Sequence, residues 1–359
     1  MGMNIKLISY MFVYIIFSNA FEFTQTRHKA FLKYKEFTII SFIMAITSAI
    51  LSILLVNFME KKYFARILGL TLPTIIIGLL MYIRTINRAK KCLQVKYWKY
   101  ALELSIPLIL HVLSGNILSQ FDRIAIANIT GFSDAALYGM AYNIGGLLNV
   151  VLSSFNGAWV PWFYQQMQFE NFKQIREVSR YYIALFSIIG IALLAFAPEM
   201  MLIMAPPAYY KAIYVIPPVI LGIFLQFIYT LYVNIEFYNK KTLYIPVGTV
   251  ISAVLNIILN LLFIPQYGYI VAAYTTLIGY ASLLVFHFVL VKVVFKQNIF
   301  NTKDIFAYIV LFTVFVFIYT YLYQYMFIRY IFTILVLAII ILTNREKINK
   351  VLKDIIKIK

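Results

Sequence analysis

Residues 243–264 read LYIPVGTVISAVLNIILNLLFI, an apolar run without a charged side chain. A helix of this length crosses the hydrocarbon core of a bilayer. Ten further apolar runs lie along the chain, and they are continuous rather than alternating, which disfavours strands. We therefore predict an all-α polytopic membrane protein with about 11 transmembrane helices. The predicted spans are 7–21, 37–57, 66–83, 104–127, 136–160, 181–205, 213–235, 243–264, 269–291, 304–323 and 326–343.

Lysine and arginine collect on alternate loops. Of the 31 basic residues, 24 lie in the loops after spans 1, 3, 5, 7 and 9 and in the tail after span 11. Because cationic loops are retained in the cytoplasm, this side is predicted to be inside, together with the C-terminus. The net charge of +18 is dispersed over these loops. This dispersion indicates contact with anionic membrane lipids and no nucleic-acid partner. We predict a multi-pass protein of the inner (cytoplasmic) membrane.

The loops leave no room for a soluble catalytic domain. The predicted outward loops 128–135, 206–212 and 265–268 are short. The chain has no phosphate-binding Gly-rich loop and no His-Glu-x-x-His motif, and it has only three histidines. Its 13 acidic residues never cluster as paired catalytic carboxylates. We predict that the protein is not an enzyme and uses neither a cofactor nor a metal.

Polar side chains enter the membrane mainly on span 4. At about 100° per residue, one half of this helix carries the polar and small residues. Charged groups inside a span cost roughly 2.5–3.5 kcal/mol each, so this half is expected to face protein or water. Alternatively, Arg123 near the end of the span extends to the lipid headgroups. The residues of the polar half are His111, Gly115, Asn116, Ser119, Gln120, Asp122 and Arg123.

Two further spans carry narrow polar stripes at helical spacing. Small and amide residues at such positions line a wet cavity or mediate close helix packing, and the sequence leaves both interpretations open. His287, in contrast, is alone on an apolar helix and is expected to be a packing residue whose hydrogen bonds are satisfied. The stripes are Tyr142, Gly146, Asn149, Ser153 and Asn156 on span 5, and Gly248, Ser252, Asn256 and Asn260 on span 8.

Segment 104–161 contains LSIPL (104–108), DRI (122–124), ALYGMAY (136–142) and AWVP (158–161). These motifs resemble polysaccharide-unit (O-antigen type) flippases of the multidrug/oligosaccharidyl-lipid/polysaccharide exporter superfamily. The resemblance implies a two-lobe exporter fold of fourteen helices, with two six-helix lobes around a cavity and two trailing helices. This chain would supply helices four to fourteen and lack the first three, so we expect a truncated or mis-started form.

The resemblance also implies the domain boundaries. Residues 1–90 would be the incomplete N-terminal lobe, and residues 91–295 would be the C-terminal six-helix lobe. Residues 296–359 would hold the trailing helices and a basic cytoplasmic tail.

The function implied by the resemblance is flipping of an undecaprenyl-diphosphate-linked oligosaccharide by alternating access, for surface polysaccharide biosynthesis. Arg123 would bind the diphosphate or act as a gate, because a guanidinium pairs with phosphate in bidentate fashion. Asp122 would orient Arg123 or couple transport to an ion, H⁺ or Na⁺. The remaining candidates would hydrogen-bond sugar hydroxyls: Asn116, Gln120, Asn149 and Asn156.

Other functions stay open. A multidrug and toxin extruder of the same superfamily would share the lobes, although such proteins usually stop at twelve helices. A membrane glycan polymerase or acyltransferase would require an intramembrane His or Asp pair. A non-transporting remnant or assembly subunit is the third alternative.

Overall fold

The computed structural model describes residues 5–89 and 94–343. Within these ranges the chain forms twelve α-helices and no β-strand. A 3₁₀ segment, Pro207–Val215, leads into α8, and a π-helical turn, Leu290–Val294, continues α10. The helices are α1 (Ile5–Ala30), α2 (Tyr34–Phe58), α3 (Lys62–Ala89), α4 (Val95–Ile129), α5 (Phe132–Gly146), α6 (Leu148–Gln168), α7 (Phe172–Met204), α8 (Ile216–Tyr238), α9 (Tyr244–Tyr267), α10 (Val271–Val289), α11 (Thr302–Leu322) and α12 (Met326–Thr343).

The predicted all-helical membrane fold is confirmed. Counted within the described ranges, nine helical segments are long and apolar enough to span a membrane, against about eleven predicted. Helix α1 is not among the nine, and α12 contributes a shorter apolar stretch, Met326–Val336. The span predicted at 136–160 contains a break, because α5 ends at Gly146 and α6 begins at Leu148. Consecutive glycines at 145 and 146 weaken the helix at this point.

The first compact unit, unit 1, comprises Met1–Leu102 and Gly157–Gln165. Two glycines of α3 let this helix pack directly on backbone. A β-carbon at Gly69 would lie 2.3 Å from Ser52 Cα on α2, and one at Gly78 would lie 2.1 Å from the Phe17 carbonyl oxygen on α1. Small residues commonly allow such close approach between membrane helices. Unit 1 is therefore built around α3.

The second compact unit, unit 2, comprises Glu103–Asn156 and Gln166–Lys359. Its centre is α8, which is buried along nearly its whole length. A helix that is apolar on all sides is expected in such a position. Stacked phenylalanines join α8 to its neighbours: Phe227 lies 3.9 Å from Phe186 of α7, and Phe224 lies 4.1 Å from Phe312 of α11, between ring centroids.

An ion pair between the buried Arg329 and the partly exposed Glu199 attaches α12 to α7 within unit 2. The Arg329 guanidinium donates to Glu199, and the Tyr330 hydroxyl donates to Glu199 Oε1 over 2.7 Å. Helix α11 joins the same end of α12 through Tyr319 Oη and Thr333 Oγ1, which are 2.9 Å apart. The two predicted trailing helices thus pack as part of unit 2. The predicted division at residues 90 and 295 stays a prediction, and the basic tail after residue 343 lies outside the described residues.

Candidate functional site

A polar pocket of about 400 Å³ lies in unit 2. Six helices contribute to its wall: α4, α5, α6, α8, α9 and α10. We call it the polar pocket. Its lining residues are His111, Val112, Gly115, Asn116, Leu118, Ser119, Gln120, Tyr142, Asn149, Gln226, Tyr229, Thr249, Tyr280 and Leu283.

Small residues on α4 make the space. A β-carbon at Gly115 would meet no atom within 4 Å, so the helix leaves a gap beside its backbone. Asn116 and Gln120 are exposed at this gap, and Asn149 is half-buried on α6. Each carboxamide carries both donors and an acceptor. The three amides therefore offer neutral hydrogen-bonding groups of both kinds to a ligand.

Two other lining residues, His111 and Gln226, differ in whether their polar atoms have hydrogen-bond partners. His111 Nδ1 lies 2.6 Å from Thr249 Oγ1, and Thr249 Oγ1 lies 3.1 Å from the Ile245 carbonyl oxygen. The imidazole tautomer decides which atom donates in the first contact. Gln226 Oε1, in contrast, is buried and has no hydrogen-bond partner among the described residues. Gln226 was not expected from the sequence, because it lies inside a long apolar run.

Arg123 lies beside the polar pocket, one turn of α4 beyond its lining. Its Nη1 donates to Gln120 Oε1 over 3.2 Å, and its Nη2 donates to Asn143 Oδ1 over 2.9 Å. The guanidinium carbon lies 5.1 Å from the centroid of Tyr142. Its buried Nε has no hydrogen-bond partner within the described ranges. The cation is held by neutral groups and keeps unused hydrogen-bonding capacity.

Asp122 is fully buried and forms no ion pair with Arg123. Its Oδ2 accepts from the Tyr138 and Thr276 hydroxyls, each over 2.5 Å. Its Oδ1 accepts from Asn260 Nδ2 over 2.7 Å and from Asn256 Nδ2 over 3.4 Å. One carboxylate thus joins α4 to α5, α9 and α10. The span 8 stripe serves helix packing at Asn256 and Asn260.

The last predicted site residue, Asn156, accepts a hydrogen bond from Thr230 Oγ1 of α8 over 3.3 Å. Of the six candidates, the structure places Asn116, Gln120 and Asn149 in the wall of the polar pocket and Arg123 at its edge. Asp122 and Asn156 bind neighbouring helices instead. What each residue does in transport stays a prediction.

His287 has a partner that the sequence did not reveal. Its Nδ1 lies 2.5 Å from Oε1 of Glu236 on α8, and both side chains are fully buried. A buried histidine with a hydrogen-bond partner fits the expected packing role, but the sequence did not identify Glu236 as the partner, because the two residues are 51 positions apart and share no local pattern. The pair lies next to the polar pocket, since the Tyr229 ring is 5.1 Å from the His287 ring.

Comparisons with known proteins agree with this fold. Residues 1–167 match the family model described as polysaccharide biosynthesis protein. The chain is 26% identical over 140 residues to the Lsg locus putative protein 1 of Haemophilus influenzae, covering 37% of this chain and 35% of that protein. It is 26% identical over 257 residues to an uncharacterized membrane protein of the same species, covering 69% of this chain and 61% of that protein. The chain thus spans less than two thirds of either relative.

One solved structure shares the fold. This is the lipid II flippase MurJ in its inward closed conformation, with a TM-score of 0.59 and 17% sequence identity. The similarity covers 89% of this chain and 70% of that one. This similarity shows the fold, and the match to the polysaccharide biosynthesis model agrees with the resemblance predicted from segment 104–161.

Proposed function

We propose that this chain moves an undecaprenyl-diphosphate-linked oligosaccharide from the inner to the outer leaflet of the cytoplasmic membrane, for surface polysaccharide biosynthesis. Its flippase fold and its family match support the lipid-linked class of substrate. The direction, the alternating-access mechanism and a cytoplasmic C-terminus belong to the proposal. They follow from the charge distribution over the loops and from the way two-lobed transporters work.

The polar pocket is the observation that carries the proposal. Its lining offers three carboxamides, three tyrosines and the unpartnered Gln226 Oε1. Sugar hydroxyls donate and accept hydrogen bonds, so they match such neutral groups. No acidic side chain lines the pocket in the described part of the chain. With the Arg123 cation at its edge, such a lining suits an oligosaccharide better than the cationic compounds of a multidrug extruder.

In this proposal Arg123 meets the diphosphate at the edge of the pocket. Its guanidinium faces neutral amides, so its charge is available to an anion. Asp122 acts indirectly, because its four hydrogen bonds fix the rotation of α4 and hence the direction of Arg123. A coupling ion, H⁺ or Na⁺, would supply the driving force.

Reconstitution of the purified chain in liposomes tests the proposal. A fluorescent lipid-linked oligosaccharide would start in the leaflet that an impermeant quencher cannot reach. Flipping would move it to the accessible leaflet, so the loss of fluorescence measures the flipping rate. The double variant Gln120→Ala/Asn149→Ala should slow flipping about 25-fold, taking ~1 kcal/mol for each lost hydrogen bond. Ser154→Ala is the matched control on α6, because this hydroxyl bonds only to its own helix at the Val150 carbonyl oxygen.

Equal flipping rates in the double variant and the control would refute the sugar role of the pocket. Transport of a cationic dye without flipping of the glycolipid would assign the chain to the multidrug branch instead.

A further inference from the structure

A basic groove lies in unit 2, away from the polar pocket. The N-terminal part of α7, the end of α10 and the start of α11 enclose a space of about 660 Å³. We call it the head groove. Five cations line it, namely Lys173, Arg176, Arg180, Lys292 and Lys303, against two carboxylates, Glu177 and Asp304. The loops that form it follow spans 5 and 9, so the charge distribution assigns it to the inner side.

Part of this positive charge holds the groove in shape. Arg176 donates to the carbonyl oxygens of Asn298 and Ile299, and Lys292 Nζ donates to Asn298 Oδ1 over 2.7 Å. Arg180 forms an ion pair with Asp304 over 2.7 Å. The loop between α10 and α11 is therefore fixed by cations on its groove side.

The remaining charge is not neutralised. Lys173 and Lys303 both line the head groove, and neither has an acidic partner within ion-pair distance in the described ranges. Long basic side chains at the membrane surface attract anionic headgroups. Two such lysines over a pre-shaped loop provide a place for a phosphate.

An apolar groove continues from the head groove. Its volume is about 300 Å³, and it runs along α8, α10 and α11. We call it the tail groove. Its wall includes Leu225, Leu284, Val285, Phe288 and Ile309. Thr302, in the first turn of α11, lines both grooves. A charged space and an apolar space that meet at one residue match an amphiphile.

We propose that the head groove and the tail groove together bind an anionic phospholipid of the inner leaflet. The phosphate would sit among the cations near Lys173 and Lys303, and an acyl chain would lie in the tail groove. Basic pockets between transmembrane helices on the cytoplasmic side suit such headgroups. The bound lipid would hold α11 against α8 and α10.

The transported glycolipid carries the same chemistry, a phosphate beside a hydrocarbon chain. The grooves share no lining residue with the polar pocket, so the two sites can be tested separately. The proposal commits to the phospholipid and does not depend on the proposed function.

Native mass spectrometry of the purified chain, titrated with phosphatidylglycerol or phosphatidylcholine of equal chain length, measures the binding. We expect phosphatidylglycerol to bind more tightly than phosphatidylcholine. Lys303→Gln should weaken the binding of phosphatidylglycerol about fivefold, and Lys173→Gln/Lys303→Gln should weaken it about 25-fold. These factors follow from the binding free energy that one basic residue contributes near an anionic lipid surface. Lys211→Gln is the matched control, because Lys211 is exposed in the 3₁₀ segment that follows the C-terminal end of α7.

A second pair of variants tests the tail groove. Val285→Trp should weaken binding roughly tenfold, because the indole takes the place of about two methylenes of the acyl chain. Val289→Trp, one turn along α10 and likewise exposed, should leave it unchanged. Both sites tolerate a larger side chain because they face outward, and a thermal melt without added lipid checks that the variants fold.

Three results would overturn the proposal. These are equal affinity for the two phospholipids, an unchanged affinity in the double lysine variant, and equal effects of the two tryptophans. If undecaprenyl phosphate displaces phosphatidylglycerol and binds more tightly, the grooves belong to the transported lipid and the phospholipid assignment is wrong.

Discussion

Replacement of Asp122 by alanine should destabilise unit 2, whereas replacement by asparagine should have little effect. The side chain is fully buried and accepts four hydrogen bonds from three other helices. Alanine removes all four acceptor contacts at once. Asparagine has nearly the same shape and keeps one oxygen acceptor.

The expected cost of the alanine variant follows from the four donors. Hydrogen bonds between membrane helices average about 0.6 kcal/mol each, which gives ~2.4 kcal/mol for four. The neighbours partly satisfy one another, since Asn256 Nδ2 also donates to Thr276 Oγ1 and Asn260 Nδ2 also donates to Asn256 Oδ1. We therefore expect about 2–3 kcal/mol rather than the larger penalty of four fully unpaired groups.

The asparagine variant is expected to lose less than about 1 kcal/mol. The Tyr138 and Thr276 hydroxyls, which now donate to Oδ2, have lone pairs that can accept from an amide nitrogen at that position. The other oxygen would still accept from Asn260. Removal of a buried negative charge also lowers the desolvation cost of folding.

Thermal unfolding of the purified protein distinguishes these outcomes. At roughly 2–4 °C per kcal/mol, Asp122→Ala should lower the Tm by about 4–12 °C and Asp122→Asn by less than about 4 °C. Asp134→Ala, in the first turn of α5, is the control and should change the Tm as little as Asp122→Asn. If Asn is as damaging as Ala, the site requires the negative charge itself, and the packing explanation fails.

Three further predictions concern other parts of unit 2. Arg123→Ala should slow flipping at least about fivefold at unchanged Tm. Arg123→Lys should have an intermediate rate, because lysine keeps the charge but loses the planar guanidinium. Near-normal rates in both variants would mean that Arg123 only extends to the lipid headgroups. Gly248→Ala should lower the stability measured in a thermal melt by about 1–3 kcal/mol, because its β-carbon would lie 2.5 Å from a ring carbon of Phe286 on α10. Gly115→Ala should be neutral or slightly stabilising, because its β-carbon would meet no atom within 4 Å. Arg329→Ala should destabilise the protein by up to about 3 kcal/mol, less than for a fully buried pair because the Glu199 side chain is 25% exposed. Arg329→Met/Glu199→Gln should cost much less, because neither unpaired charge remains, and a double variant as unstable as the single one would contradict this.

The membrane spans could be predicted from the sequence because hydropathy is a local property. The run 243–264 became α9, Tyr244–Tyr267, and each other predicted span coincides with helix over most of its length, although the span 136–160 is broken between α5 and α6. The polar half of α4 was visible in the same way, from the spacing of its residues. The local sequence pattern was sufficient to predict where a helix spans the membrane and which half of it is polar.

The partners of each polar residue could not be predicted in this way. Gln120 and Asp122 fall in the same predicted half of α4, yet Gln120 lines the polar pocket and Asp122 is sealed between helices. Two residues turn a helix by about 200°, so a half-circumference estimate cannot separate a pocket from a packed interface. The Glu236–His287 pair depends wholly on the contact of α8 with α10, which no local spacing encodes.

The Asp122 cluster and the polar pocket of unit 2 differ in how far their hydrogen-bonding groups have partners. Both carboxylate oxygens of Asp122 accept hydrogen bonds from protein groups, so the carboxylate requires no hydrogen bond from water or a ligand. In and beside the polar pocket, Gln226 Oε1 and Arg123 Nε have no hydrogen-bond partner among the described residues. Unsatisfied polar groups are costly at membrane depth, and such groups persist where water or a ligand can use them. A transported oligosaccharide needs groups of this second kind, because a region that already satisfies itself has no hydrogen bonds left to offer.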